Sequence, residues 1–297
     1  MPIVPMTELL TCAREGAYGV GYFEAWDIDS LEAVIAAAEA EKAPVIVGFG
    51  GAMAAGAWLD AGGVEALAGI GHALASRTRV PSALLFNEAH SLDQARRAVD
   101  TGFNAVMLDT SAWPWEDAVT EVADLVAYAH ERGASVEAEL GRLPDAVEGG
   151  VDDSHASLTD PQQAADFAQR TGIDCLAVSV GNVHLLRDRL APVDMGHLEA
   201  VAARVPLPLV MHGGTSFPPD EVPRAIAAGV AKFNVGTVLK SEFLAGVRDT
   251  VAAWPEQVNV HDILGSHKAT DLLAAGKARM QLRVQELIRL YGSHGRA

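Results

Sequence analysis

Two histidines, His184 and His212, follow short apolar runs of β type, and acids, amides and glycine-rich turns follow other such runs. The carboxyl candidates are Glu24, Glu88, Asp109, Glu137 and Glu139, and the amides are Asn87 and Asn234. Imidazole and carboxylate groups together suit Zn²⁺ and other divalent first-row metals. The turns Gly213-Gly214-Thr215 and Asn234-Val235-Gly236-Thr237 would offer backbone N–H groups at helix starts, which is the chemistry of an anion cradle. A metal beside an anion cradle describes an enzyme acting on a phosphorylated or carboxylated carbonyl compound.

Such residues act together only if the fold brings the run ends to one place. Runs rich in β-branched residues at 19–24, 44–49, 82–88, 105–109, 135–140, 175–180, 207–212 and 232–235 alternate with segments of helical period at 29–42, 63–77, 91–101, 115–132, 161–171, 194–204, 219–228 and 237–252. Asp29-Ser30 and Thr159-Asp160-Pro161 read as helix starts. Eight βα units predict an α/β chain folded as a closed (β/α)8 TIM barrel, a single domain over 1–297 with 261–297 as a C-terminal helical extension. A doubly wound sheet would carry G-x-G-x-x-G after the first strand; the nearest match, Gly48-Phe49-Gly50-Gly51-Ala52-Met53, lacks the third glycine and follows the second.

In a barrel the C-terminal strand ends hold the chemistry. His184 and His212 then fall on one face, and the other histidines, such as His72, His130 and His294, read as surface or core residues. Glu137 and Glu139 are expected to alternate, with only one facing the interior. Glu88 stands open between a ligand and a solvated loop acid, and Gly213-Gly214 between a cradle and a plain tight turn.

Composition narrows the partners. With 22 Lys+Arg against 39 Asp+Glu, the net charge of −17 repels a phosphate backbone, so no nucleic acid is expected. The weakly apolar stretch 43–58 carries four glycines and is too short to span a bilayer, and the N-terminus lacks a signal-peptide pattern. Cys12 and Cys175 have neither metal spacing nor a disulfide framework. A cytoplasmic protein without membrane partners is the expectation.

At these residues the sequence resembles the class II, metal-dependent ketose-bisphosphate aldolases, above all their tagatose-bisphosphate branch. The resemblance spans nearly the whole chain. It rests on Ala43-Pro44-Val45-Ile46, Val106-Met107-Leu108-Asp109-Thr110-Ser111, Ser135-Val136-Glu137-Ala138-Glu139-Leu140-Gly141, Thr171-Gly172-Ile173-Asp174-Cys175-Leu176-Ala177-Val178, Pro208-Leu209-Val210-Met211-His212-Gly213-Gly214 and Lys232-Phe233-Asn234-Val235-Gly236-Thr237. It implies a barrel that assembles as a homodimer or homotetramer. It also implies a Zn²⁺ that polarises the substrate carbonyl and stabilises an enediolate, and retro-aldol cleavage of a small phosphorylated ketose.

Residue by residue, the resemblance puts metal ligands at His184 and His212. The family's strand-three Asp-His-His falls on Asn87, Glu88 and Ala89. Glu88 becomes the third ligand, ahead of His90, and a carboxylate there admits Mn²⁺, Co²⁺ or Fe²⁺ beside Zn²⁺. Asn87 cannot deliver the proton that the family's Asp supplies. Glu24, where the family has Asn, is the candidate to take over, the alternative being a hydrogen bond to a substrate hydroxyl. Glu139 and Asp109 would support the metal or bind it secondarily. Glu148, in the loop 143–153, is the acid nearest to the family's mobile proton-abstracting Glu. Gly181, Gly213, Thr215, Asn234 and Thr237 would seat substrate and phosphate, with Arg187 replacing backbone approach lost where the family's glycine is Leu185. An isomerase or epimerase using the same enediolate, and a non-catalytic metabolite-binding barrel, are the alternative functions.

Overall fold

The computed structural model describes residues 3–147, 150–186 and 189–297. Among the described residues there are ten strands: β1 Val20–Ala25, β2 Val45–Gly50, β3 Ser82–Ala89, β4 Ala105–Leu108, β5 Ser135–Leu140, β6 Asp145–Val147, β7 Gly150–Asp152, β8 Cys175–Val178, β9 Leu209–Met211 and β10 Val230–Val235. Eight of them close into a barrel in the order β1-β10-β9-β8-β5-β4-β3-β2, every pair parallel. These are the eight strands expected from the sequence, and closure removes the sheet edges that a doubly wound fold would leave. β6 and β7 form a separate antiparallel hairpin in the loop after β5.

Each barrel strand buries both faces, which is why the runs read as continuously apolar. The outward face packs under the helices around Phe23, Val47, Phe86, Val106 and Leu176. The inward face forms a second cluster in which Ala83, Ala105, Cys175, Ala177 and Ala231 are small enough to leave room for Tyr22. Asp27, not Asp29, caps the first outer helix, Ile28–Glu41, in a reciprocal capping box with Ser30. Asp160 accepts from the N–H groups of Gln162 and Gln163 at the start of Pro161–Thr171, as its position before Pro161 predicts.

Two features go beyond the expected pattern. A helix Met6–Gly16 precedes β1 and presents Met6, Leu9, Leu10 and Ala13 to the inner cluster. The tail is not helical throughout: only Val260–Ile263 and Ala274–Leu290 are, because Asp271 accepts from the backbone N–H groups of Ser266 and His267 and holds the intervening chain in turns. The helix Ala274–Leu290 lies against Ile28–Glu41 and Thr237–Ala253, where a Cβ on Gly246 would come within 2.6 Å of the Ala275 backbone. Among the described residues no helix is long and apolar enough to cross a membrane.

Candidate active site

The C-terminal ends of β1, β3, β9 and β10 open into a cavity of about 460 Å³, lined among others by Glu24, Asn87, Glu88, His184, His212 and Asn234. Ligand atoms of Glu88, His184 and His212 lie within 4.8 Å of one another. These are two imidazoles and a carboxylate from three separate elements, a donor set that suits a divalent first-row cation. The exposed His90 stands apart from them, its Nε2 3.3 Å from the Ala54 carbonyl.

His212 is the centre of this arrangement. Its Nε2 contacts Glu137 Oε1 at 3.0 Å, while its Nδ1 faces Glu139 Oε2 at 3.0 Å and Glu88 Oε1 at 3.3 Å. Burial disfavours a charged imidazole, yet the carboxylates of Glu139, Glu137 and Glu88 outweigh it and hold the His212 pKa well above the usual histidine range. Three carboxylates around one ring make a pocket that draws in a cation, whether a proton or a metal ion. A carboxylate on the remote nitrogen of a ligating imidazole is the usual way to orient it, so Nδ1 is the nitrogen left for a ligand.

Both Glu137 and Glu139 reach His212. This corrects the expectation that only one would face inward: residues two apart on a strand share a face, and it is the intervening Ala138 that points outward into the helix layer. Glu137 is fully buried and pairs with Lys232 Nζ at 2.7 Å. Lys232 Nζ also donates to Asn234 Oδ1 at 2.6 Å. Burial pushes the Glu137 carboxyl up, but Lys232 and His212 overcome this and hold its pKa down at about 2.

His184 is positioned by main-chain bonds to the hairpin strand β6. Its N–H donates to the Pro144 carbonyl at 2.9 Å, and its carbonyl accepts from Ala146 N–H at 2.9 Å. Asp145 Oδ1 then lies 3.6 Å from His184 Nδ1. Asn182, fully buried, ties the end of β8 to that of β9 by donating to the His212 carbonyl at 2.9 Å. Glu88 has φ +54°, a left-handed conformation that costs a residue with a Cβ about 1 kcal/mol, and it ends β3 with its carboxylate in the cavity.

Glu24 lies across the cavity, and Lys240 Nζ donates to its Oε1 at 2.6 Å. Burial raises the Glu24 pKa above its ordinary value despite that cation, and Glu88 adds to the rise. The carboxylate occupies space that two glycines leave open: a Cβ on Gly50 or Gly236 would lie 2.9 Å or 3.1 Å from Oε2. Asn87 is buried beside it, and its Oδ1 has no hydrogen-bond partner among the described residues.

Gly213, Thr215, Asn234 and Thr237 also line the cavity. Thr215 Oγ1 accepts from Val238 N–H, so its hydroxyl anchors the start of the helix Thr237–Ala253. Leu185 lines the cavity too, at φ +60°. Gly181 and Asp109 do not. Asp109 accepts from Ser111 N–H in a local turn, and Gly181 packs so closely on Pro192 that a Cβ would meet its carbonyl oxygen at 2.4 Å. Glu148 and Arg187 lie outside the described residues.

Lys240, Arg248 and Asp145 line the cavity without any prior sign in the sequence reading. Lys240, Leu244 and Arg248 recur at a spacing of four along the helix after β10, a stripe that helical periodicity could have flagged once β10 was placed. Asp145 depends on a hairpin whose strands are three residues long, announced in the sequence only by Gly149-Gly150.

Comparison with known proteins agrees with this architecture. The sequence profile of the family described as fructose-bisphosphate aldolase class-II matches residues 4–296. The fructose-bisphosphate aldolase of Geobacillus stearothermophilus is 34% identical over 303 residues, covering 100% of this chain and 99% of that protein. That of Thermus caldophilus is 35% identical over 319 residues, covering 99% of this chain and 100% of that one. Among solved structures, the YdjI aldolase of Escherichia coli K12 superposes with a TM-score of 0.80 at 28% identity, over 100% of both chains.

Proposed function

From the premise that the chain belongs to the class II fructose-bisphosphate aldolase family, whose members are metal-dependent carbon–carbon lyases, we propose the part that each of its residues plays in cleaving a ketose phosphate. The observation that carries this reading is the meeting of Glu88, His184 and His212 at the mouth of the barrel, in one cavity with a half-buried Glu24.

Glu88, His184 and His212 would hold the divalent ion. Zn²⁺ is the metal we favour for this donor set, and Mn²⁺, Co²⁺ and Fe²⁺ suit its carboxylate as well. When bound, the ion supplies Lewis acidity at the ketose carbonyl. Glu139, 3.0 Å from His212 Nδ1, is the secondary contact.

In the cleavage direction the substrate C4 hydroxyl gives its proton to Glu24. The C3–C4 bonding pair moves into the three-carbon fragment, which becomes an enediolate, and C4 leaves as the aldehyde. Burial raises the Glu24 pKa and so makes its carboxylate a better proton acceptor than an ordinary one. Asn87 cannot exchange protons, and its unpartnered Oδ1 accepts a hydrogen bond from a substrate hydroxyl. Glu148 is proposed to return the proton to C3. The phosphate sits at the start of the helix Thr237–Ala253 among Gly213, Thr215 and Thr237, with Arg187 as its cation, while Asn234, whose Oδ1 is taken by Lys232, turns Nδ2 to another substrate oxygen. The substrate is a small phosphorylated ketose, fructose 1,6-bisphosphate being the first to try given the names of the relatives. We further propose that the whole chain works as one catalytic domain, in a cytoplasmic homodimer or homotetramer.

The test is product analysis with metal-loaded protein: two three-carbon phosphates support the lyase, whereas a single six-carbon isomer would favour an epimerase using the same enediolate. Glu24→Gln keeps the shape and removes the exchangeable proton, so turnover is expected to fall roughly a hundred-fold or more, within the range that general acid–base groups supply. Full turnover in that variant would remove Glu24 from the mechanism. Leu185→Gly relieves a left-handed leucine and opens the cavity to closer backbone approach, and it is expected to lower KM for a phosphorylated ketose several-fold. An unchanged or higher KM would place the phosphate elsewhere.

A further inference from the structure

Tyr22 stands two residues before Glu24 on β1 and so shares the strand face that looks into the barrel. It is 1% exposed and lines the same cavity as Glu24, Glu88 and His212. Its hydroxyl is buried without a hydrogen-bond partner among the described residues. Its register partner on the adjacent strand is Asn234, whose Nδ2 is likewise buried and unpartnered. The amide's orientation is fixed, because its Oδ1 is taken by Lys232 Nζ at 2.6 Å. The same ammonium lies 4.9 Å from the Tyr22 ring centroid and holds the ring from one side.

Two buried donors on neighbouring strands, neither bonded to the other, each carry the desolvation cost of an unmet hydrogen bond. A single acceptor oxygen in the cavity would satisfy both. Burial, with Glu24, Glu88 and Glu137 adding to it, pushes the phenol pKa well above its usual value, so the hydroxyl keeps its proton and acts as a donor.

We propose that Tyr22 is a catalytic residue: beside Asn234 Nδ2, its hydroxyl donates to the oxygen of the three-carbon fragment on which negative charge develops as the carbon–carbon bond breaks. The assignment rests on the lyase reading above. It adds a buried, unpartnered donor on the cavity wall, of the kind that stabilises oxyanions.

Tyr22→Phe removes one oxygen atom and keeps the ring, its packing and the Lys232 contact. In zinc-loaded enzyme cleaving fructose 1,6-bisphosphate, kcat is expected to fall on the order of ten- to a hundred-fold. Zinc content should be unchanged and the melting temperature equal or higher, since a buried unmet hydroxyl is gone. A kcat within twofold of the parent overturns the proposal, and so does a loss of activity that tracks a loss of zinc. If the parent protein does not cleave this sugar, the lyase reading falls, and the donor pair is decided by calorimetric titration with dihydroxyacetone phosphate. Binding about tenfold weaker in Tyr22→Phe upholds the pair. Equal affinity, or no binding to the parent, overturns it.

Discussion

His184→Ala is expected to empty the metal site, leaving roughly a tenth of an equivalent of divalent ion or less after reconstitution and dialysis, and to lower turnover on the order of a thousand-fold. His184 supplies one of three donors whose ligand atoms lie within 4.8 Å. Losing a mere supporting partner of a metal ligand costs about 10- to 100-fold in affinity, and losing a ligand costs more. The remaining pair is one imidazole and one carboxylate, fewer protein donors than the three that usually hold a catalytic ion. The variant should still fold. The bonds joining His184 to the hairpin are main-chain ones to Pro144 and Ala146, which alanine keeps, and the side chain is 30% exposed, with Asp145 at 3.6 Å and the His212 ring beside it. Elemental analysis and a thermal melt on one preparation separate the two effects. A full equivalent of metal in His184→Ala would remove this histidine from the ligand set.

Lys232→Met is expected to destabilise the barrel by about 3–5 kcal/mol, from removing one partner of a buried pair. Lys232 and Glu137 are both fully buried, 2.7 Å apart. Methionine roughly fills the space but leaves the Glu137 carboxylate with only His212 and the weak Cys175 thiol donor, and Asn234 Oδ1 without its donor. The melting temperature should drop on the order of 10 °C. The pH dependence gives a sharper signature. With Lys232 present the Glu137 pKa is depressed to about 2, so the pair's contribution is complete above the ordinary carboxyl value near 4.5 and is lost as pH falls towards 2. The stability gap between parent and variant should therefore be widest above about pH 4.5 and close as the solution is acidified. The double change Lys232→Met with Glu137→Gln should recover part of the loss, since no uncompensated charge stays buried. A double variant no better than the single one would show that Lys232 acts through packing alone.

The element pattern was legible because it depends on local chemistry. Each of the eight barrel strands is buried and so is largely apolar apart from the polar residues of the site, such as Glu137, Glu139 and Lys232, and each expected outer helix has a counterpart, the one at 219–228 beginning as a 3-10 turn at Pro219–Glu221. The helix Met6–Gly16 had a visible signal, since Met6, Leu9, Leu10 and Ala13 fall at helical spacing, but it precedes the first βα unit and has no place in that repeat. The hairpin β6–β7 had only Gly149-Gly150 as a turn signal, because its strands are three residues long and carry no clear alternation, and it is joined to His184 by main-chain bonds of Pro144 and Ala146.

At the site, the residue types at strand ends already named the ingredients. Glu24, Asn87, Glu88, His184, His212, Gly213, Thr215, Asn234 and Thr237 all line one cavity because closure of the barrel forces every strand to end on the same rim. Which partners they take was beyond the sequence. Glu137 and Glu139 converge on a histidine from a strand two places away in the barrel, and Lys240 reaches Glu24 from 216 positions further along the chain. Glu24 and Glu88 are both acids to the sequence, yet burial raises one pKa while His212 lowers the other against the same burial.

The sequence by itself determined the barrel, its strand ends and the kinds of donor they present, because hydrophobic period and residue type act within a few residues along the chain. The tertiary structure alone decided which ring nitrogen of His212 faces the cavity, which carboxylate pairs with Lys232, and which polar atoms stay without partners. Those depend on distances across the barrel, where a shift of an ångström exchanges one hydrogen bond for another and desolvation sets what each is worth.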